Sequence, residues 1–281
     1  MLIDNVRNSV QRILPSRVFG AVFGVYSSLK TAAHIGVKDC LRLRSVAKGS
    51  SEELAQFHFP GTVHPVYVRP GSTDAEVAEA ALVRQYHACL KPKFPVSLII
   101  DAGAYAGYTS VFFANRYPDA KIIALEPDAE NYSVAQMNLS PYAERVKLLH
   151  AAVWYRSGPI RVLPERRFDS THVGEMTDDE GFPCLGLNMM SLLEKSAQQR
   201  ISIFKCDIEG AEEFIFNEEA DVWIEQTDSI LMEIHSARAY DAVFSIMRRH
   251  PFKVFTNREL HVFFRVSPSR SLIKSLRGNL H

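Results

Sequence analysis

The sequence has few cysteines and no sign of a disulfide or zinc framework. Its 281 residues include four cysteines, at wide spacings and with no C-x-x-C pair: Cys40, Cys89, Cys184 and Cys206. Zinc knuckles and disulfide-stapled domains depend on closely spaced cysteines. The pattern therefore predicts reduced thiols that fill the core, as in a cytoplasmic protein.

The sequence also lacks an excess of charge and a long apolar run. Lys plus Arg number 32, as do Asp plus Glu, so no global field favours nucleic acid or an anionic membrane. The longest apolar stretch near the N-terminus, residues 18–29, contains two glycines and two serines and is shorter than the ~20 residues that span a bilayer. Charged residues before it disfavour a secretory signal. We therefore expect a cytoplasmic protein with no transmembrane segment and no nucleic-acid partner.

Residues 1–95 are predicted to form an extension of helices and short strands. Apolar residues recur at helical spacing from Leu2 to about Ser28, and Pro15 divides them into two helices. A helical cap on the main domain is favoured over a basic amphipathic helix on a membrane, because Asp4 and the short length weaken the second interpretation. The extension would serve acceptor binding or homo-oligomerisation.

Shorter elements follow before residue 95. Thr62 to Arg69 alternates like a strand, and Pro70-Gly71-Ser72 is a turn signal. Asp74 or Thr73 is then placed to cap a helix over residues 76–90.

Strands and helices alternate in residues 96–281, the predicted main domain. Val96 to Ile100 is an apolar run typical of a buried parallel strand. Alternation continues with strands at 121–125, 146–152, 201–206 and 229–234 and helices at 108–117, 128–139 and 211–217. This order predicts an α/β fold with a doubly wound parallel sheet. Residues 252–255 and 262–266 flank a turn and predict an antiparallel hairpin.

The strongest functional signal is the turn from Asp101 to Thr109, DAGAYAGYT, between a strand and a helix. Gly103 allows the backbone to approach a ligand closely, and the helix N-terminus presents unpaired N–H groups to a carboxylate or phosphate. A dinucleotide fingerprint would need glycine where Tyr105 and Tyr108 stand, which disfavours NAD and FAD. A tight turn with no ligand is the alternative.

The second signal is Glu126, at the end of the next predicted strand. Two carboxylate oxygens match the vicinal diol of a ribose, so an acidic residue at this place predicts a ribose contact. Helix capping is the alternative, and we expect Asp128 to provide the cap while Glu126 points to the crevice.

These motifs together resemble the FkbM family of S-adenosylmethionine-dependent methyltransferases. Its members combine a D-x-G-A-x-x-G-x-T turn, an E-P-D and a late K-x-D-x-E-G-A-E block, which this chain carries at residues 101–109, 126–128 and 205–212. The likeness runs from about Val63 to Val266. It implies a class I methyltransferase (Rossmann-like) sheet, mostly parallel with an antiparallel C-terminal hairpin strand. It also implies S-adenosylmethionine as cofactor and methyl transfer to a hydroxyl of a natural product or sugar.

The resemblance assigns residues to parts of the cofactor. By this resemblance Asp101, Gly103 and Tyr105 border its methionine part, and Thr109 binds the carboxylate. Glu126 holds the ribose, and Ala152 lies where adenine stacks. Members often carry a smaller residue such as Asn in place of Tyr105. The predicted cofactor-binding residues are Asp101, Gly103, Tyr105, Thr109, Glu126, Ala152 and Asp207.

The predicted catalytic residues are Asp207, Glu233 and His235, at the carboxyl ends of two predicted strands. Methyl transfer to an alcohol needs alignment and a base for the proton. His235 suits that task because imidazole titrates near neutrality, although a structural role fits it equally well. These residues, with Glu209, also offer ligands to Mg²⁺, a cofactor that we do not favour.

The sequence thus predicts O-methylation of a small molecule, natural product or glycan. The alternatives are an N-methyltransferase, a nicotinamide-dependent oxidoreductase, which would need the missing glycines, and a non-catalytic cofactor-binding relative. Acceptor specificity is expected in the irregular stretch 161–187 and in the N-terminal region, including Arg69.

Overall fold

The structure is a computed structural model that describes residues 25, 28–50, 53–164, 171–174 and 181–266. Nearly all of the two helices predicted between Leu2 and Ser28 lies outside this part of the chain. Residues 28–35 are helical, and they precede α1 (Val37–Ala47).

The predicted short elements of the extension are present with altered bounds. β1 (Ala55–Phe57) and β2 (Val66–Val68) form an antiparallel pair. The helix predicted over 76–90 is broken into α2 (Asp74–Ala78), a π-helical turn (Glu79–Val83) and a 3₁₀ turn (Tyr86–Cys89).

The break has a local cause. Gln85 takes a left-handed conformation with φ of 48°, which an α-helix cannot include. Neither Thr73 nor Asp74 provides a side-chain cap, because Thr73 at the N-cap position makes no capping bond and the Asp74 carboxylate accepts hydrogen bonds from Arg69 and Tyr105.

Strands and helices alternate through most of the remaining chain, as predicted, and further strands lie between residues 158 and 187. The strands are β3 (Leu98–Ala102), β4 (Lys121–Leu125), β5 (Val146–Leu149), β6 (Ala152–Val153), β7 (Gly158–Pro164), β8 (Thr171–Gly174), β9 (Phe182–Leu187), β10 (Ile203–Cys206), β11 (Ser229–Met232), β12 (Phe252–Asn257) and β13 (Leu260–Arg265). The helices are α3 (Tyr108–Arg116), α4 (Ala129–Leu139), α5 (Met189–Ser196), α6 (Glu212–Ile215), α7 (Asp221–Ile224) and α8 (Ala237–Met247).

Seven strands form the main sheet in the order β12-β13-β11-β10-β3-β4-β5. The pairs from β11 to β5 are parallel, whereas β13 is antiparallel to β11 and to β12. The sheet is therefore mostly parallel and ends in the predicted hairpin.

The stretch predicted to be irregular, 161–187, contains regular strands. β7 pairs antiparallel with β8 and β9, and β9 pairs parallel with β6, which gives a second sheet of four strands. Alternating apolar residues such as Ile160 and Val162, both buried, explain why β7 forms. Residues 165–170 and 175–180 lie outside the described part.

The core lies on both faces of the main sheet, as a doubly wound fold requires. Ile99 faces one hydrophobic cluster, and its neighbours Leu98 and Ile100 face the other. The first cluster also contains Leu43 and Phe57, so the extension shares a core with residues that follow position 96. The boundary between 1–95 and 96–281 stays a prediction.

The four cysteines are free thiols, as predicted, and Cys40 and Cys206 are buried. Among the helices in the described ranges, none combines the length and the apolar character that crossing a bilayer requires.

Candidate active site

A cavity of about 470 Å³ lies at the carboxyl ends of the parallel strands. β3 pairs with β4 on one side and with β10 on the other, so the strand order reverses at β3. Ligands of open α/β sheets bind at such a switch point. Gly103 follows β3 and Asp207 follows β10, and both residues line the cavity.

Gly103 lies against the chain that leaves β10. Its φ is 73°, and a Cβ atom built on it would lie 1.7 Å from the carbonyl oxygen of Asp207. Both facts restrict this position to glycine. The Gly103 carbonyl accepts a hydrogen bond of 2.6 Å from Nζ of Lys205, which fixes the turn to β10.

Asp101 lies beneath this turn rather than in the cavity wall. Its side chain is fully buried, accepts a 2.6 Å hydrogen bond from Ser110, and lies 3.4 Å from Nζ of Lys205. Burial opposes a charge on Lys205, but Asp101 and Asp207 outweigh it and raise the pKa of the ammonium above its ordinary value. Asp101 and Lys205 thus form a buried ion pair that supports the turn.

Tyr105 joins the turn to the N-terminal extension. Its φ is 52°, and its backbone N–H donates to Oε2 of Glu126 at 2.7 Å. The phenol donates to Asp74 at 2.6 Å and lies 2.9 Å from the hydroxyl of Thr73. This large residue, where the family often has a smaller one, therefore ties the start of α2 to the edge of the cavity.

Glu126 lies in the cavity wall, and Asp128 caps α4, both as the sequence predicts. Oε1 of Glu126 accepts the N–H of Asp128 at 3.0 Å, and Oε2 accepts that of Tyr105. Burial raises the pKa of the Glu126 carboxyl to about 7. Asn131 makes a third hydrogen bond to this side chain, and since a carboxylate has about four lone-pair sites, acceptor capacity for one further donor is left.

Other predicted cofactor residues line the same half of the cavity. Thr109 lies in the first turn of α3, and Ala152 lies in β6. Asn131 of α4 and Ile208 also line this half, although the sequence analysis did not select them. Asp101 is the one predicted cofactor residue outside the cavity wall of the described part.

The three predicted catalytic residues meet in one cluster. Asp207, Glu233 and His235 each place one polar atom within 4.8 Å of the other two. Nε2 of His235 lies 3.5 Å from Asp207 and 3.6 Å from Glu209, and Nδ1 lies 2.7 Å from Glu212. The imidazole therefore lies among carboxylates on both of its nitrogens.

This arrangement changes the charge expected on His235. Burial acts to lower its pKa, but the hydrogen bond to Glu212 and the carboxylates of Glu212, Glu209 and Asp207 outweigh burial and raise the pKa to about 9. His235 is thus an imidazolium at neutral pH and must lose a proton before it can act as the predicted base.

Glu233, unlike His235, has a pKa close to neutral pH. It lines the cavity, and burial, followed by the charge of Asp207, raises the pKa of its carboxyl to about 7. A carboxylate with this pKa is half ionised at neutral pH and is a stronger base than an exposed glutamate.

Mg²⁺ binding at this cluster would compete with the proton on His235. Asp207, Glu233 and His235 are close enough to share an ion, but His235 brings a positive charge of its own into the site. A metal ligand must offer a lone pair, and both nitrogens of an imidazolium carry protons.

A third wall comes from residues that the sequence analysis did not select. Arg84, Tyr86 and His87 of the extension and Arg258 at the hairpin tip line the cavity. Burial lowers the pKa of His87 to about 3, so this imidazole is neutral. Arg69, expected near the acceptor, is not part of the cavity wall. Its guanidinium binds Asp74 and Asn131.

Comparison with known proteins places the chain in a family. Residues 101–254 match the sequence model of the methyltransferase FkbM domain. The AMB antimetabolite synthetase AmbE of Pseudomonas aeruginosa is 24% identical over 206 residues, which cover 57% of this chain and 10% of that protein. The chain therefore spans about a tenth of the length of this curated relative.

Two solved structures are also similar. A methyltransferase FkbM from Methylobacillus flagellatus is 13% identical with a TM-score of 0.43, covering 81% of this chain and 59% of that one. A precorrin-6y C5,15-methyltransferase from Geobacter metallireducens is 14% identical with a TM-score of 0.40, covering 68% and 87%. The predicted class I methyltransferase fold is confirmed, and with more than half of its length matched, this chain belongs to the methyltransferase FkbM domain family.

Proposed function

We propose that the chain is an S-adenosylmethionine-dependent methyltransferase that methylates a hydroxyl group of a small molecule or glycan. The observation that carries the proposal is the single cavity that joins Gly103 and Glu126 to Glu233. The first two residues suit a nucleoside cofactor, and the third suits proton removal from an acceptor.

The residues present fit this cofactor. Gly103 presents its backbone in the cavity wall, and its lack of a Cβ lets the chain at Asp207 close the turn around it. Glu126 has acceptor capacity left for a hydroxyl of a ribose beyond its bonds to Tyr105, Asp128 and Asn131. Thr109, in the first turn of α3, lies where unpaired N–H groups favour a carboxylate.

Charge in the cavity also favours this cofactor. When bound, S-adenosylmethionine supplies an electrophilic methyl group on a positively charged sulfur. Asp207, Glu209 and Glu233 give the nearby wall an excess of carboxylates, which attract a cation. Tyr105 and Tyr108 stand where a dinucleotide fingerprint has glycine, which counts against a nicotinamide-dependent oxidoreductase.

The chain's own residues divide the remaining work. Glu233 accepts the proton of the acceptor hydroxyl, because its carboxyl lines the cavity with a pKa of about 7. His235 keeps its proton and holds the carboxylates of Asp207, Glu209 and Glu212 around it. Lys205 and Asp207 fix the turn at Gly103.

Two measurements test the proposal. Calorimetry with S-adenosylmethionine, S-adenosylhomocysteine and NAD should show binding of both sulfur compounds and none of NAD. Mass spectrometry after incubation with methyl-labelled cofactor and an acceptor library should identify the product and whether oxygen or nitrogen carries the methyl group. Binding of NAD alone would overturn the proposal.

The role of Glu233 is tested by Glu233→Gln, which keeps the size of the side chain. Turnover should fall by about 10²–10⁴-fold, the usual contribution of a general base, while cofactor affinity stays near that of the wild type. Wild-type turnover should rise with pH through about 7 as Glu233 ionises. If Glu233→Gln keeps its activity and His235→Gln loses it, the base is His235.

A further inference from the structure

Two arginines from distant parts of the chain meet at one tyrosine on the cavity wall. Arg84 follows the π-helical turn, and Arg258 lies at the tip of the β12–β13 hairpin. Their guanidinium carbons lie 4.9 Å and 4.2 Å from the centre of the Tyr86 ring. Arg258 also donates a hydrogen bond to the Tyr86 hydroxyl. The ring thus keeps two positive charges at one end of the cavity.

The charge on Arg84 is poorly matched by its neighbours. Its Nε lies 3.9 Å from the carboxylate of Glu79, which is beyond hydrogen-bonding distance. Glu79 instead pairs with Arg44 at 2.7 Å. Nε of Arg84 is buried, and the described part of the chain supplies no hydrogen-bond acceptor for it.

A buried donor without an acceptor is unfavourable, and a ligand oxygen would remove that cost. Nη2 of Arg84 makes a long hydrogen bond of 3.4 Å to the carbonyl of Glu76. Guanidinium groups bind carboxylates and phosphates in paired hydrogen bonds. A guanidinium in the cavity wall with a donor to spare therefore favours a ligand with a carboxylate or a phosphate group.

We propose that Arg84 and Arg258 form a binding site for an oxyanion, a carboxylate or a phosphate, at the end of the cavity bounded by the extension and the hairpin. The proposal deepens the proposed function, on which it rests for the identity of the ligand. The same cavity wall carries carboxylates such as Glu233, so the two arginines are the part of the wall that favours an anion.

The same chemistry has two sources in the proposed reaction. One is the carboxylate of the methionine part of the cofactor, and the other is an anionic group on the acceptor. 5′-Methylthioadenosine separates them, because it keeps the adenosine and the sulfur of S-adenosylhomocysteine but lacks the carboxylate.

The experiment uses calorimetry on the full chain and on Arg84→Met and Arg258→Met, which keep much of the apolar stem against Tyr86. S-Adenosylhomocysteine and 5′-methylthioadenosine are titrated first. Inorganic phosphate and malonate are then titrated into the protein with and without saturating S-adenosylhomocysteine. Arg42→Met is the matched control, because Arg42 lies 4.6 Å over the Phe57 ring outside this cavity.

Each arginine variant should weaken one class of ligand by about 10-fold or more, as expected for a hydrogen bond to a charged group. Weaker S-adenosylhomocysteine binding with unchanged 5′-methylthioadenosine binding assigns the site to the cofactor carboxylate. Loss of phosphate or malonate binding, with both nucleosides unchanged, assigns it to the acceptor. Arg42→Met should change none of these affinities.

Unchanged affinities for all four ligands in both arginine variants would overturn the site. If a methionine variant melts well below the wild type, Arg84→Gln and Arg258→Gln replace it in the same titrations. A wild type that binds neither nucleoside contradicts the proposed function. Phosphate binding to the nucleoside-free protein, lost in the arginine variants, would still support the oxyanion site.

Discussion

The two halves of the cavity are built in different ways. The half around Gly103 and Glu126 comes from two consecutive strand–turn–helix units, β3–α3 and β4–α4. Its polar groups are held by the protein: Glu126 accepts two backbone N–H groups, and Asp101 contacts Ser110 and Lys205. A site that is held in this way loses little entropy when it binds a ligand.

The acceptor half comes from segments far apart in the chain. Residues 84–87, 207–209 and 257–260 meet there with Glu233, and they bring several carboxylates and two arginines into the cavity wall. Nε of Arg84 has no hydrogen-bond acceptor within the described ranges and is available to a ligand. The comparison therefore suggests a preformed cofactor half and an acceptor half that is completed by its substrate.

The largest effect on the cofactor half is expected from Gly103→Ala. The added methyl group would overlap the carbonyl of Asp207 in a backbone conformation with φ of 73°. We expect a loss of about 2–4 kcal/mol in the free energy of unfolding and loss of cofactor binding. Chemical denaturation and calorimetry measure the two effects.

Gly61→Ala is the matched control for that substitution. Gly61 has a similar φ of 80° but has no atom within 4 Å of the added Cβ. It should cost only the backbone strain, roughly 1–2 kcal/mol, and leave cofactor affinity unchanged. Equal losses in the two variants would show that the contact with Asp207 does not shape the cavity.

The link between the halves is expected to break in Tyr105→Phe. This change removes the hydroxyl that donates to the buried carboxylate of Asp74 at 2.6 Å. We expect a loss of about 1.5–3 kcal/mol in the free energy of unfolding, because a hydrogen bond to a charged group is lost. Denaturation of Tyr142→Phe, which loses a bond from the neutral amide of Asn115, should show a smaller loss, about 1 kcal/mol.

If Tyr105→Phe loses no more stability than Tyr142→Phe, the contact with Asp74 does not hold the extension on the turn. Cofactor affinity should fall in Tyr105→Phe as well, since the backbone of the same residue donates to Glu126.

The sequence predicts the cofactor half far better than the acceptor half. Gly103, Glu126 and Asp128 belong to local strand–turn–helix motifs, where the spacing in the chain fixes the spacing in space. Arg84 and Arg258 are 174 residues apart in the sequence, and no periodicity or motif links them. Their meeting at Tyr86 follows from how the extension packs on the hairpin.

The charges on Glu233 and His235 could not be predicted from the sequence either. The pattern places Glu233 and His235 at one strand end, but it does not reveal that Glu212 lies 2.7 Å from the imidazole. That contact, with two further carboxylates, makes His235 a cation and leaves Glu233 as the group that titrates near neutrality.

A pair of neighbouring carboxylates separates binding from helix capping. Glu126→Ala should weaken binding of S-adenosylhomocysteine by about 1–3 kcal/mol, because a charged acceptor of the ribose is lost. Asp128→Ala should leave affinity near the wild type and lower the free energy of unfolding by about 1 kcal/mol, since Asp128 caps α4. Calorimetry and denaturation of both variants test the contrast, and the reverse pattern would assign the ribose contact elsewhere.

The smallest effect expected is a slope in the dependence of stability on pH. The pKa of His235 is about 9 in the folded protein, against an ordinary value of 6.5 for histidine, so the folded state binds the proton more tightly. Its stabilisation is complete below pH 6.5 and is lost as pH rises from 6.5 to 9. His235→Gln should therefore lose less stability than the wild type between pH 6 and 9.5 in chemical denaturation.

Glu212→Gln removes the closest carboxylate and should move the wild-type decline to lower pH. Parallel curves for the wild type and His235→Gln would show that folding leaves the pKa of this histidine near its ordinary value, and the role of proton acceptor would return from Glu233 to His235.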